Sequence, residues 1–338
     1  MGGGTTVIEA ILAGRRVIGT DLNSLAVFIA KVKTNKLNLY EKNAIIQWAK
    51  NIIPSLKYNF PISSLIETSC DKRTRNMSLP CARFIKKVVA VALSSIDKLP
   101  TNQTRDFVRC AILKTTQWAI DGRKTHASLN QYRQKLSEHI HQMLDQLDDL
   151  VSNVTTKHHR FPDSYLFEID AAQIDKIPLF ASDKIKANLV VTSPPYPGLH
   201  VLYHRWQING RRETPAPYWI SDCQDGQGDS FYNFGSRQQP NHNSYFETSL
   251  RTLKAIRNVL RPGAYMVQLL AFSDPQSQLS RYLANMASAG FKEVNLKRHQ
   301  TASNNARIWR NVPNRKWHAS LQGNTSGSKE VVLVHKAD

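Results

Sequence analysis

Long apolar runs are absent from this sequence. No segment approaches the roughly 20 consecutive apolar residues of a membrane-spanning helix, and no charged leader with an apolar centre is recognisable. The expectation is a protein with no membrane partner. Cysteine is also scarce: Cys70, Cys81, Cys110 and Cys223 stand far apart. That spacing excludes a disulfide framework and a paired-cysteine metal site, and it suits reduced thiols in the cytoplasm. Acidic residues are few, with 26 Asp and Glu against 45 Lys and Arg and a net charge of +19. An imbalance of that size favours a polyanionic partner, most simply nucleic acid.

What is present suffices for a core. Hydrophobic residues make up 41% of the 338 positions. That length fits one large domain or a domain carrying an insertion. The stretch that organises the rest is Val190-Val191-Thr192-Ser193-Pro194-Pro195-Tyr196. Residues 188–192 read as a short buried strand, which a proline pair cannot continue. Each proline fixes its own φ and lacks an N–H, and Pro195 also restricts Pro194. A stiff turn at the carboxyl end of a strand follows, and ligands bind outside that edge in open α/β sheets. Ser193 offers a hydroxyl there, Pro194 a carbonyl and Tyr196 an aromatic ring.

The opening residues form a second motif. Gly2, Gly3, Gly4, Thr5 and Thr6 precede an amphipathic helix with Val7, Ile8, Ile11 and Leu12 on one face, closed by Gly14. A short strand, residues 16–20, then leads to Asp21. Glycines let a backbone approach a ligand closely, and a helix N-terminus favours a negative group. An acid after the following strand is placed to accept from ribose hydroxyls. A glycine loop of this kind normally follows a buried strand, and here the sequence opens on the loop itself.

Ser24 is the expected cap of the next helix, which runs to about Lys36. Residues 43–155 then keep a helical period and read as an all-helical insertion. Its longest segment carries Tyr132, Leu136, Ile140, Leu144, Leu147 and Leu150 at helical spacing. Trp48 and Trp118 are expected in its core. His139 and His141, two apart on a helix, do not share a face, so no metal site is expected. Strands return at residues 164–170, where Asp170 ends a strand as Asp21 does. Further strands are expected at 264–270, 291–296 and 330–335, the last two paired across an exposed basic loop that contains Trp309, Arg310, Arg315, Lys316 and Trp317. The segment 197–219 interleaves cations with aromatics, a mixture that suits a nucleic-acid backbone and unstacked bases. His200, Tyr203, Arg205, Trp206, Arg211 and Arg212 are its candidate nucleic-acid contacts. The alternation of strands and helices predicts an α/β doubly wound sheet. Residues 1–42 and 156–338 would form it, with helices on both faces, and 43–155 would be inserted.

The two motifs together resemble S-adenosylmethionine-dependent DNA amino-methyltransferases. In that family's first motif, Asp-Pro-Phe-x-Gly-x-Gly, the glycines match Gly2 and Gly4, and the Asp-Pro-Phe would lie before Met1. The catalytic motif, (Asn/Asp/Ser)-Pro-Pro-(Tyr/Phe/Trp), is matched by Ser193, Pro194, Pro195 and Tyr196. The serine form resembles cytosine-N4 enzymes more than adenine-N6 ones. The resemblance covers the start of the chain and residues 164–335, and leaves the helical insertion aside.

The resemblance implies a Rossmann-like methyltransferase sheet that binds S-adenosylmethionine. Gly2, Gly4 and Thr5 would meet the methionine part, Asp21 the ribose and Asp170 the adenine amine. Ser193 and the Pro194 carbonyl would accept from the target amine, and Tyr196 would stack on a flipped base in duplex DNA. A restriction endonuclease is an implied partner that no motif here encodes. Three alternatives stay open on the residues alone: an adenine-N6 DNA enzyme, an RNA base methyltransferase, and a non-catalytic nucleic-acid-binding remnant.

Overall fold

The structure is a computed structural model. It describes residues 1–58, 71–181, 185–197, 205–208, 212–226, 234, 242–272, 274–295, 307–311 and 329–338. The first elements are helix α1 (Thr5–Leu12), strand β1 (Val17–Asp21), α2 (Ser24–Thr34), α3 (Leu39–Ile52), α4 (Arg83–Ser94), α5 (Asn102–Ile120) and α6 (Leu129–His158). Then come β2 (Ser164–Glu168), β3 (Ala187–Thr192), β4 (Trp206–Ile208), β5 (Arg212–Thr214), α7 (Ala216–Ser221) and α8 (Asn243–Asn258). The last are β6 (Leu260–Ala271), α9 (Pro275–Ser288), β7 (Phe291–Glu293), β8 (Ile308–Asn311) and β9 (Lys329–Ala337). Among the described residues no helix is long and apolar enough to cross a membrane. The class is α/β, as the alternation implies.

Two compact units result. One holds Met1–Gly19, Asn23–Phe167 and Leu202–Asp225, and the other holds Thr20–Leu22, Glu168–Val201 and Gly226–Asp338. The first unit is mainly helical. Side chains three and four apart make a continuous apolar stripe on α6, and Tyr132, Leu136, Ile140, Leu144, Leu147, Leu150 and Val154 are buried. Ser128 and Gln131 start that helix with a reciprocal capping box. Val7 and Ile11 of α1 pack with Val27 and Ala30 of α2, Leu150 and Val154 of α6, and Leu166 of β2. Trp48 is buried and donates to Ser95 Oγ at 3.0 Å. Trp118 is only partly buried and lies under the Arg123 guanidinium. The cap of α2 is Asn23, not Ser24: the Asn23 side chain accepts from the Leu25 N–H at 3.0 Å. Ser24 instead donates to the Gln224 carbonyl at 2.7 Å.

The second unit is built on a mixed sheet in the order β3-β6-β9-β7, with β8 also against β9. β3 and β6 are parallel, and β9 is antiparallel to β6, β7 and β8. The crossover from β3 to β6 contains α8. Tyr245, Phe246, Leu253 and Ile256 of α8 and Leu279, Tyr282 and Met286 of α9 share a core with Met266, Leu270, Val331 and Leu333 of the sheet. That core covers one face.

The expectation of a buried β3 does not hold. Leu189 is 55% exposed and Val191 is 43% exposed, beside Tyr265 at 46%. Leu189 lies directly across from Tyr265 in the ladder. Among the described residues β3 pairs with β6 alone. Side chains alternate faces along a strand, so Val190 packs against the helical core while Leu189 and Val191 on either side of it turn away.

The last strands, β7 and β9, are paired as the pattern suggests, and the pair runs antiparallel. The intervening segment, expected to be an exposed basic loop, contributes a strand of its own at Ile308–Asn311. Of that loop's predicted cations and aromatics, Trp309 and Arg310 lie in this strand, while Arg315, Lys316 and Trp317 fall outside the described residues.

Candidate active site at the carboxyl end of the third strand

The register Val190–Met266, Val191–Val267, Thr192–Gln268 carries β3 in step with β6 to its last residue. Ser193 follows, exposed, and Pro194 and Pro195 end the ladder because neither has an N–H to donate. Ser193 Oγ lies 3.2 Å from the Tyr196 hydroxyl and 3.4 Å from the Leu269 carbonyl. Tyr196 is partly buried against the sheet–helix core. Its hydroxyl donates to Glu330 Oε2 at 3.0 Å. Glu330 is 3% exposed on β9. The β8–β9 register sets Arg310 opposite it, and the Arg310 guanidinium pairs with Glu330 Oε1. Beneath these groups, burial pushes the Tyr245 phenol well up, with Tyr282 and Tyr196 adding to the effect. The four motif residues are thus brought together with two partners that the motif does not contain.

Asp21 and Asp170 are brought to neighbouring strand ends. The Val17 N–H donates to the Asp163 carbonyl, and the Ile169 N–H donates to the Asp21 carbonyl at 3.1 Å. Early residues pair with early and late with late, so β1 and β2 run parallel and both acids emerge at the same edge. Asp170 also caps the short 3-10 turn that follows: its Oδ1 accepts from the Ala172 N–H at 2.9 Å. Its Oδ2 stands 3.9 Å from the Arg251 guanidinium.

Gly2, Gly4 and Thr5 belong to the other unit. Gly4 is the cap of α1, with φ at 89°. A Cβ there would meet the Ala30 Cβ at 3.0 Å. Gly4 therefore serves a left-handed turn and a close approach of α1 to α2 at once. Gly2 also has positive φ, 55°, with nothing within 4 Å of a Cβ. Thr5 is the first, exposed residue of α1.

Of the six candidate nucleic-acid contacts, His200, Tyr203 and Arg211 lie outside the described residues. Trp206 is 4% exposed on the β4–β5 hairpin, so its ring serves packing. Arg205 pairs with Asp225 at 2.7 Å and lies over the Tyr218 ring. Arg212 remains exposed on β5. The helix that follows and the residues just past it are also drawn into their unit: Arg109 donates to the Ile220 carbonyl at 3.2 Å, and Arg73 to the Cys223 carbonyl at 2.9 Å. Much of the described segment is structural.

No family model and no curated protein matches this chain. Among solved structures it is similar to NSun6 from Pyrococcus horikoshii with SFG, at 10% identity and a TM-score of 0.30. That match spans 58% of this chain and 39% of NSun6. It is also similar to a methyltransferase homolog protein from Pyrococcus horikoshii, at 10% identity and a TM-score of 0.29. Here the match spans 89% of this chain and 100% of the other. At these TM-scores neither likeness bears on activity or substrate.

Proposed function

We propose that this chain methylates an exocyclic amino group of a base in DNA, most simply N4 of cytosine, using S-adenosylmethionine. The observation that supports it best is the display of Ser193, Pro194, Pro195 and Tyr196 at the end of β3. The serine is exposed there, and its oxygen is 3.2 Å from the tyrosine hydroxyl.

Each unit offers groups that suit the cofactor. Asp21 and Asp170 stand at adjacent parallel strand ends and offer carboxylates to ribose hydroxyls and an adenine amine. The Gly2–Gly4 loop opens a helix whose N-terminus favours a carboxylate. S-adenosylmethionine supplies the electrophilic methyl group when bound.

The chain's own residues manage the amine. An exocyclic amine is a weak nucleophile because its lone pair is delocalised into the ring. Ser193 Oγ and the Pro194 carbonyl accept its two N–H groups and hold the nitrogen so that its lone pair leaves conjugation. Positioning of this kind can be worth roughly 7–11 kcal/mol of barrier. The Tyr196 ring stacks on the extruded base, which leaves the duplex at a cost of about a few kcal/mol. The net charge of +19 favours the phosphate backbone.

The test is incubation with methyl-labelled S-adenosylmethionine and either duplex DNA or tRNA, followed by digestion to nucleosides. N4-methylcytosine from DNA is the expected product. N6-methyladenine, or label found only in tRNA, overturns the base or nucleic-acid assignment. Nucleic-acid binding with neither cofactor binding nor transfer marks a non-catalytic protein.

A further inference from the structure

Glu330 is the one buried carboxylate that reaches the partner of Ser193 among the described residues, and the proposed reaction gives it no task. Its Oε1 is paired with Arg310 and its Oε2 accepts from Tyr196 at 3.0 Å. A carboxylate can only accept hydrogen bonds, whereas a hydroxyl has one proton and two lone pairs. The Tyr196 proton is therefore committed to Glu330. Toward Ser193 Oγ, 3.2 Å away, the tyrosine oxygen can only accept. Among the described residues, the acceptors within reach of the Ser193 proton are the Tyr196 oxygen and the Leu269 carbonyl at 3.4 Å. Either choice leaves the lone pairs of Ser193 Oγ for an incoming donor.

We propose that Glu330 is a positioning residue that sets the direction of the Ser193–Tyr196–Glu330 hydrogen bonds, so that Ser193 meets the substrate amine as an acceptor. The role rests on the methyl-transfer reading above. Without the carboxylate, the Tyr196 proton can turn toward Ser193. The serine proton is then free to face the amine, where it opposes the N–H groups it should receive. No atom changes owner in this step, and Glu330 never touches the substrate. Arg310 balances the charge of a carboxylate held inside the sheet.

The experiment compares Glu330→Gln, Tyr196→Phe and the double variant in the full chain. Glu330→Gln is expected to lower kcat about tenfold to a hundredfold. KM for the nucleic acid stays within about twofold, because the Tyr196 ring still stacks. In the Tyr196→Phe background the Glu330 substitution is expected to add nothing further, since the bond through which it acts is gone. A second readout does not need activity. The infrared difference between the unmodified chain and Tyr196→Phe should show a shifted carboxylate stretch that is absent in the Glu330→Gln background.

Independent, multiplicative effects of the two substitutions on kcat overturn the proposal. So does a carboxylate band that Tyr196→Phe leaves unmoved. If Glu330→Gln does not fold, Glu330→Asp takes its place in the kcat comparison, and the infrared difference between the unmodified chain and Tyr196→Phe is read without it. An infrared shift in a chain that methylates no nucleic acid overturns the methyl-transfer reading while upholding the direction of the bond.

Discussion

The Tyr196 hydroxyl donates to the Glu330 carboxylate at 3.0 Å, joining residues 134 apart in the chain. This bond ties the loop after β3 to β9, the strand that holds the rest of the sheet together. The proline pair stiffens the loop from within, and Glu330 anchors it from outside.

Arg310→Gln is expected to destabilise the protein by about 2 kcal/mol, below the ~3–5 kcal/mol of a fully buried pair, because Arg310 is half exposed. Urea denaturation measures it. An unchanged midpoint would mean that Tyr196 alone satisfies the carboxylate.

Gly4→Ala and Gly2→Ala should differ in cost. Both positions have positive φ, but only at Gly4 would the new methyl meet Ala30 at 3.0 Å. Gly2→Ala is expected to cost about 1 kcal/mol of backbone strain, and Gly4→Ala distinctly more. Equal thermal shifts would show that α1 and α2 separate easily.

Acid should weaken both units. Burial pushes His335 down to about 4, and burial with the Lys114 and Lys135 charges does the same for His139. Each imidazole stays neutral in the folded chain and takes a proton more readily when unfolded. Their contribution is complete above about pH 6.5 and is lost as pH falls toward 4. It amounts to at most on the order of 3 kcal/mol per group. His335→Gln should flatten the decline in denaturation midpoint between pH 7 and 4.5. A decline of unchanged steepness would rule out that imidazole as a source.

Leu333→Ala removes a fully buried side chain from the centre of β9. The expected loss is about 2–5 kcal/mol. A much smaller loss in urea titration would mean that the sheet–helix core collapses into the space.

Much of this was legible in the sequence where one short stretch carried its own reason. Prolines must end β3 after Thr192, so Ser193 and Tyr196 had to lie at a strand's carboxyl edge. The spacing from Tyr132 to Leu150 admits only one buried helix face. Asp21 and Asp170 are strand-end acids on inspection. What was illegible depends on distant pairing. Nothing near Glu330 marks it as a partner of Tyr196, since a glutamate at the start of a strand ordinarily faces water. Trp206 and Arg205 have the composition of a nucleic-acid contact, yet the β4–β5 hairpin buries the first and Asp225 occupies the second. Ser24 and Asn23 are both good caps, and only the chain path chooses Asn23. β3 has the composition of a buried strand, but burial depends on neighbours that a local pattern does not reveal.

The most direct test of methyl transfer at Ser193 is the rate of label transfer from S-adenosylmethionine to duplex DNA by the intact chain, beside Ser193→Ala and Tyr196→Ala. Transfer by the intact chain that falls at least about a hundredfold in either variant, with cofactor binding retained, is the predicted result. Equal transfer by all three proteins would place the chemistry elsewhere, and contradict the account.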